Sequence, residues 1–227
     1  GRQRLIINSI NPEKTNICDS LQRKIEDYIY SFRNNVSINV LTDNGEFIVD
    51  VNSDIPRIPA SNQKILSSGF SLDKLGPNYT LNTSLKLLSQ GELYIEASGD
   101  PDLDTSQLLH LVSILASGNQ TIENKIPIII KSIRSSYWWP SSWSMSDRKE
   151  EYGAPITRYS IASNSSIKAL NNPIINFIDQ LQNSLIISKI SDKYYIKRVN
   201  ENYPINYVST INTIYSAPLH ILLNLVN

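Results

Sequence analysis

The sequence predicts an α+β protein, with helices and strands in separate blocks and no regular βαβ series. Three observations carry this. Apolar residues recur at helical spacing over 17–33, after Ser61, and over 105–117 and 173–183. They alternate with polar residues over 36–51 and 81–98. Turn residues separate these blocks, and no internal repeat is present. At 227 residues, 41% hydrophobic and 19% charged, the chain can form one large domain or two modest ones.

Ile17, Leu21, Ile25, Ile29 and Phe32 mark the apolar face of a first helix, opposite Arg23, Lys24, Glu26 and Asp27. Val36, Ile38 and Val40, then Phe47, Val49 and Val51, alternate on either side of Asp43-Asn44-Gly45 and predict a β-hairpin. Ile65, Leu66, Phe70 and Leu75 predict a second helix that stops at Gly76-Pro77. A second hairpin is expected over 81–98, broken at Gln90-Gly91, and a turn at Gly99-Asp100-Pro101. A helix over 105–117 and a buried strand over 126–133 follow, then an aromatic, Ser-rich loop from Tyr137 to Tyr152. The remainder reads as a helix over 173–183, strands over 185–199 and an apolar helix from 218 to 226.

Composition excludes several classes. The 21 basic and 21 acidic residues balance, which argues against a nucleic-acid binder. No apolar run approaches the ~18 residues of a membrane span. Cys18 is the single cysteine, so there is no intrachain disulfide and no all-cysteine metal site. His110 and His220 each lie in an apolar helical run without metal-ligand spacing, and we expect neither metal nor cofactor. No leader precedes Gly1, which leaves open a chain never exported and one already processed.

Ser-x-x-Lys occurs four times, at Ser61/Lys64, Ser71/Lys74, Ser146/Lys149 and Ser165/Lys168. A serine hydroxyl becomes a nucleophile when a base takes its proton, and lysine serves as that base only when neutral, which requires desolvation or a nearby cation. Residues three apart share a helix face, and a helix N-terminus favours a developing alkoxide. Only Ser61/Lys64 stands at a predicted helix start followed by apolar residues expected to bury that helix. The plain alternative is an N-capping serine beside a solvated lysine.

The flanking residues add a resemblance. Ile58-Pro59-Ala60-Ser61-Asn62-Gln63-Lys64-Ile65-Leu66 resembles the Pro-Ala-Ser-x-x-Lys-Leu-Leu motif of penicillin-recognising serine enzymes. Leu75-Gly76-Pro77, Ser98-Gly99-Asp100-Pro101-Asp102-Leu103, Trp139 to Tyr152-Gly153-Ala154-Pro155 and Ala217-Pro218-Leu219 are similar, in order, to further blocks of one family. That family is the D-alanyl-D-alanine carboxypeptidase/endopeptidases, the class C low-molecular-mass penicillin-binding proteins. The resemblance implies a penicillin-binding-protein/β-lactamase-like transpeptidase domain, incomplete here, with an inserted mixed α/β domain. Residues 1–80 would begin the first, 81–205 form the insertion and 206–227 return.

By the same resemblance the substrates are peptidoglycan stem peptides, β-lactams are acylating inhibitors and the location is periplasmic or otherwise extracytoplasmic. Ser61 would form the acyl-enzyme, Lys64 would be its base, and Asp147 and Tyr152 would receive the amino end of a diamino-acid side chain. A solvated loop aspartate and a packing tyrosine are the plain alternative for that pair. Trp138, Trp139 and Trp143 are expected to pack. The family's mechanism also uses a later Ser-x-Asn motif and a Lys-Thr-Gly strand. Ser9-x-Asn11 and Ser37-x-Asn39 precede Ser61, Ser117-Gly118-Asn119 follows it, and no Lys-Ser/Thr-Gly triplet occurs in the 227 residues. The chain stops at 222–227, where the Ser-x-Asn segment is expected, and the stretch between Asn164 and the helix at 173 is short for the family.

Overall fold

The computed structural model describes residues 17–117 and 124–226. Ser9 and Asn11 lie outside the described residues. The chain divides into two compact units, residues 1–63 and 64–227.

In the first unit, α1 (Asp19–Ile29) runs into a 3-10 turn (Tyr30–Asn35) and then a hairpin of β1 (Ile38–Leu41) and β2 (Phe47–Val51). The strands are antiparallel, with Gly45 at φ +85° in the connecting turn. Only glycine enters that region without steric cost. Ile29, Val49 and Val51 are buried, backed by Ile25, Val36, Ile38, Val40 and Ile48. Gln22 ties the helix to the strand: its amide donates to the Asp50 carbonyl at 2.9 Å and accepts from the Asp50 N–H at 3.0 Å. Phe32, expected on the packed face, is 40% exposed because the chain leaves the α-helix at Ile29.

The second unit opens with α2 (Gln63–Leu75), whose first residue belongs to the preceding unit, and which ends at Gly76 with φ +84°. The predicted helix and its stop are both present, but the predicted burial is not. Ile65, Leu66, Phe70 and Leu75 are 51–67% exposed, and Ser68 is the helix's buried residue. Helical spacing identifies a face that can be buried, and among the described residues nothing covers it.

The rest is built on β3 (Asn82–Leu88), β4 (Leu93–Ala97), β5 (Ile126–Ser132), β6 (Tyr194–Asn200) and β7 (Tyr207–Tyr215). Among the described residues these form one sheet in the order β6-β5-β4-β3-β7. The β3–β4 hairpin is antiparallel around Gln90-Gly91, as the alternation predicts. β4, β5 and β6 are mutually parallel. The two parallel connections carry α3 (Thr105–Ser113) and α4 (Pro173–Ile187), so two βαβ crossovers sit inside a chain that lacks a regular series. β7 pairs with β3, and α5 (Leu219–Val226) follows. The helix predicted over 173–183 continues to Ile187, so the strands expected from 185 begin only at Tyr194.

Both crossover helices cover one face. Leu108, Leu111 and Val112 of α3 and Ile174, Phe177, Leu181 and Leu185 of α4 share a core with Leu85, Leu93, Ile95, Ile128 and Ile130 of the sheet. Leu88, Tyr94 and Ile129 on the opposite face pack under Val199, Tyr203 and Ile205. Asp104 and Gln107 form a reciprocal capping box at the start of α3, with bonds of 2.8 and 3.0 Å. Asn172 caps α4 through the Ile175 N–H at 3.2 Å, with Pro173 in the first turn. Between Asn164 and Asn172 the chain closes a short loop: Leu170 N–H donates to the Asn164 carbonyl at 2.9 Å and Ser165 bridges Ala169.

Candidate active site

Ser61 occupies a 3-10 turn, Ala60–Asn62, that precedes α2. The approach to it is pinned by Arg57, whose guanidinium donates to the carbonyls of Asn34 and Val36 at 3.0 and 2.9 Å and to the Ser37 hydroxyl at 3.0 Å. Asn62 N–H closes the turn on the Pro59 carbonyl at 2.9 Å. Ala60 sits at φ +45°, a left-handed conformation that costs a residue with a Cβ about 1–2 kcal/mol. Strain of this kind, immediately before a candidate nucleophile, is a feature of sites that hold a side chain in a set direction. Ser61 is exposed.

Lys64 lies one turn further on, in α2 and within the second unit, and is also exposed. The apolar residues meant to exclude water from it are themselves in solvent. The desolvation that a lysine base requires is therefore not supplied by its own helix.

Asp147 and Tyr152 fall in two consecutive 3-10 turns, Asp147–Lys149 and Glu151–Gly153. The fold brings them together: the Tyr152 hydroxyl donates to Asp147 Oδ1 at 3.1 Å. That bond and the carboxylate's charge hold the Tyr152 phenol above its ordinary pKa. Asp147 is half-buried and its N–H donates to the Ser144 hydroxyl at 3.1 Å.

Gly153 makes this loop possible. A Cβ at that position would lie 1.7 Å from the Asp147 carbonyl oxygen, so the Asp147 backbone passes where any side chain would be. The Gly153 carbonyl in turn accepts the Trp139 indole N–H at 2.8 Å. Trp139 also lies under the Arg148 guanidinium, 5.5 Å from the ring centroid. Trp138 is buried in the main core, its carbonyl accepting from Ile156 N–H at 2.8 Å, and Trp143 is half-buried.

Sequence reasoning missed the support behind this loop. Ala162, Ser163 and Asn164 all adopt left-handed backbone, with φ of 47°, 56° and 55°. Ala162 and Ser163 N–H donate to the Leu103 and Pro101 carbonyls at 2.9 and 2.7 Å. The buried Asn164 amide donates to the Pro155 carbonyl at 2.9 Å and the Thr157 hydroxyl at 3.0 Å. These bonds hold the segment 154–157 against the Gly99-Asp100-Pro101 turn, where Gly99 at φ +83° lies beneath the Thr157 carbonyl. No glycine or proline in 162–164 signals the left-handed run.

The family model for D-Ala-D-Ala carboxypeptidase 3 (S13) matches residues 21–189. The crystal structure of penicillin binding protein 4 (dacB) from Haemophilus influenzae is similar with a TM-score of 0.66 and 17% identity, over 79% of this chain and 56% of that one. The same protein complexed with a novel β-lactam matches with a TM-score of 0.54 and 17% identity, over 79% and 54% of the two chains. The chain thus spans little more than half the length of the structures it resembles, as an incomplete domain of that fold would.

Proposed function

This chain belongs to the D-Ala-D-Ala carboxypeptidase 3 (S13) family, and on that footing we propose that it derives from a serine-type D-Ala-D-Ala carboxypeptidase or endopeptidase that acts on peptidoglycan stem peptides outside the cytoplasm. The observation that carries the reading is one family match whose span, 21–189, takes in Ser61, Lys64, Asp147 and Tyr152 together.

In this mechanism the Ser61 hydroxyl attacks the carbonyl of the penultimate D-Ala while the neutral Lys64 amine takes its proton. The terminal D-Ala leaves with a proton, and water then hydrolyses the Ser61 ester. A β-lactam acylates Ser61 by the same attack, its ring C–N bond breaking. A lysine base acts in its neutral form, which desolvation or a nearby cation favours. Asp147 offers a carboxylate to the ammonium of a diamino-acid side chain. Its bond to Tyr152 supports that role by fixing the carboxylate's direction. We read residues 81–205 as the inserted part, with β7 extending its sheet to Tyr215.

A second reading is a non-catalytic remnant that binds cell-wall peptide or only holds structure. Solvent exposure of both Ser61 and Lys64 favours it. Labelling with a fluorescent penicillin separates the two. The peptidase reading expects covalent label that disappears in Ser61→Ala, and absence of label on the full-length gene product overturns it. For the pocket, Asp147→Ala is expected to lower kcat/KM on diamino-acid peptides about tenfold more than on a simple acyl-D-Ala-D-Ala. Equal losses on both substrates remove Asp147 from the pocket.

A further inference from the structure

β5 and β6 run parallel with Ile128 beside Ile196, Ile130 beside Arg198 and Ser132 beside Asn200. Alternate residues of a strand share a face. Ile128, Ile130 and Ile196 belong to the main core, so that face is apolar until the carboxyl ends of the strands. There it changes character. Arg198, Asn200 and Ser132 replace the isoleucines, and Arg134 follows two residues beyond Ser132. Together with Ile133 and Val199 they line a crevice of about 340 Å³.

The charges in this crevice are unbalanced. Arg198 Nε donates to the buried Ser132 hydroxyl at 2.8 Å, which aligns the guanidinium beside the strand ends. Among the described residues neither Arg134 nor Arg198 has an ion-pair partner, and no carboxylate lines the crevice. Two lysines of the same sheet are paired, Lys86 with Glu96 and Lys197 with Glu92, while Lys131 of β5 has no ion pair among the described residues. Both arginines are exposed, so water screens their mutual repulsion, and their forked donors match carboxylate and phosphate oxygens.

We propose that Arg134 and Arg198, with Ser132, form an oxyanion-binding site that takes a carboxylate or phosphate group. The site lies wholly within the second unit and stands apart from the peptidase reading. Its test is titration of the full 227-residue chain with inorganic phosphate, and separately with acetate, at constant ionic strength in chloride, read by the NMR signals of the arginine Nε–H groups. Saturable shifts at Arg134 and Arg198 are expected with at least one probe. Tighter binding of phosphate assigns a phosphate-bearing ligand, and acetate binding as tight or tighter assigns a carboxylate. Arg134→Ala, and independently Arg198→Lys, are expected to weaken the tighter probe about tenfold, with the amide spectrum otherwise retained. Ser61→Ala should leave this binding unchanged while abolishing penicillin labelling, so the two readings fail separately. Shifts that chloride reproduces, or that persist at full affinity in both arginine variants, overturn the site.

Discussion

α2 and α4 have similar apolar spacing and opposite fates. α4 buries Pro173, Ile174, Phe177, Leu181, Ser184 and Leu185, whereas α2 buries Ser68 and leaves its larger apolar residues in solvent. The difference lies in their partners. α4 is the crossover between two adjacent strands, and that connection delivers it to the sheet face those strands create. The strands immediately after α2 turn to α3, α4 and one another for cover. Periodicity therefore reports which side of a helix is apolar, and topology decides whether anything meets it.

The largest effect expected from this contrast is at Phe177, which is fully buried against Tyr159 with ring centroids 5.0 Å apart. Phe177→Ala should destabilise the second unit by about 3–5 kcal/mol in urea denaturation. A loss below about 1 kcal/mol would mean that α4 is not docked as described.

An intermediate effect is expected at alkaline pH. Burial pushes the Tyr159 phenol far above its ordinary range, and its hydroxyl donates to the Ile95 carbonyl at 2.8 Å and accepts from Lys131 N–H at 3.1 Å. The folded state thus holds the proton more tightly than the unfolded state. Its stabilising contribution is complete below the unfolded tyrosine pKa of about 10 and is lost as pH rises beyond it. Stability measured from pH 8 upward should fall above about pH 10, and Tyr159→Phe should flatten that fall. An equally steep decline in the variant would assign it to other groups.

The smallest effect is expected at Phe70 of α2, which is 65% exposed. Phe70→Ser should change stability by no more than about 0.5 kcal/mol. A loss above about 1 kcal/mol would show that the α2 face is covered in solution after all.

Much of this was legible from local pattern, because the relevant energies are local. The hairpin at Asp43-Asn44-Gly45, the stop at Gly76-Pro77 and the turn at Gly99-Asp100-Pro101 each follow from the backbone freedom of a glycine or the fixed φ of a proline. What depended on distant partners was hidden. Arg198 meets Ser132 across 66 residues, and parallel neighbours leave no turn between them to read. The residues of β7 gave no clear alternation, since its register with β3 shifts twice. In the candidate site, the five-residue interval from Asp147 to Tyr152 has no meaning for a regular helix or strand. They meet because the Gly153 backbone lies under that of Asp147, a fact of packing that spacing does not encode.

The place of β7 also sets an order of events in synthesis. β3 lies between β4 and β7, and Leu81 N–H reaches the Ser216 hydroxyl across 135 residues. When β3 and β4 have left the ribosome, one edge of β3 still awaits a strand more than 100 residues away in the chain. At about 5–20 residues per second that edge stays open for on the order of 6–25 s. During that interval it is a row of unpaired N–H and C=O groups able to add any passing strand. The nascent chain is therefore most vulnerable to aggregation in the time between finishing its first hairpin of the sheet and finishing its last strand.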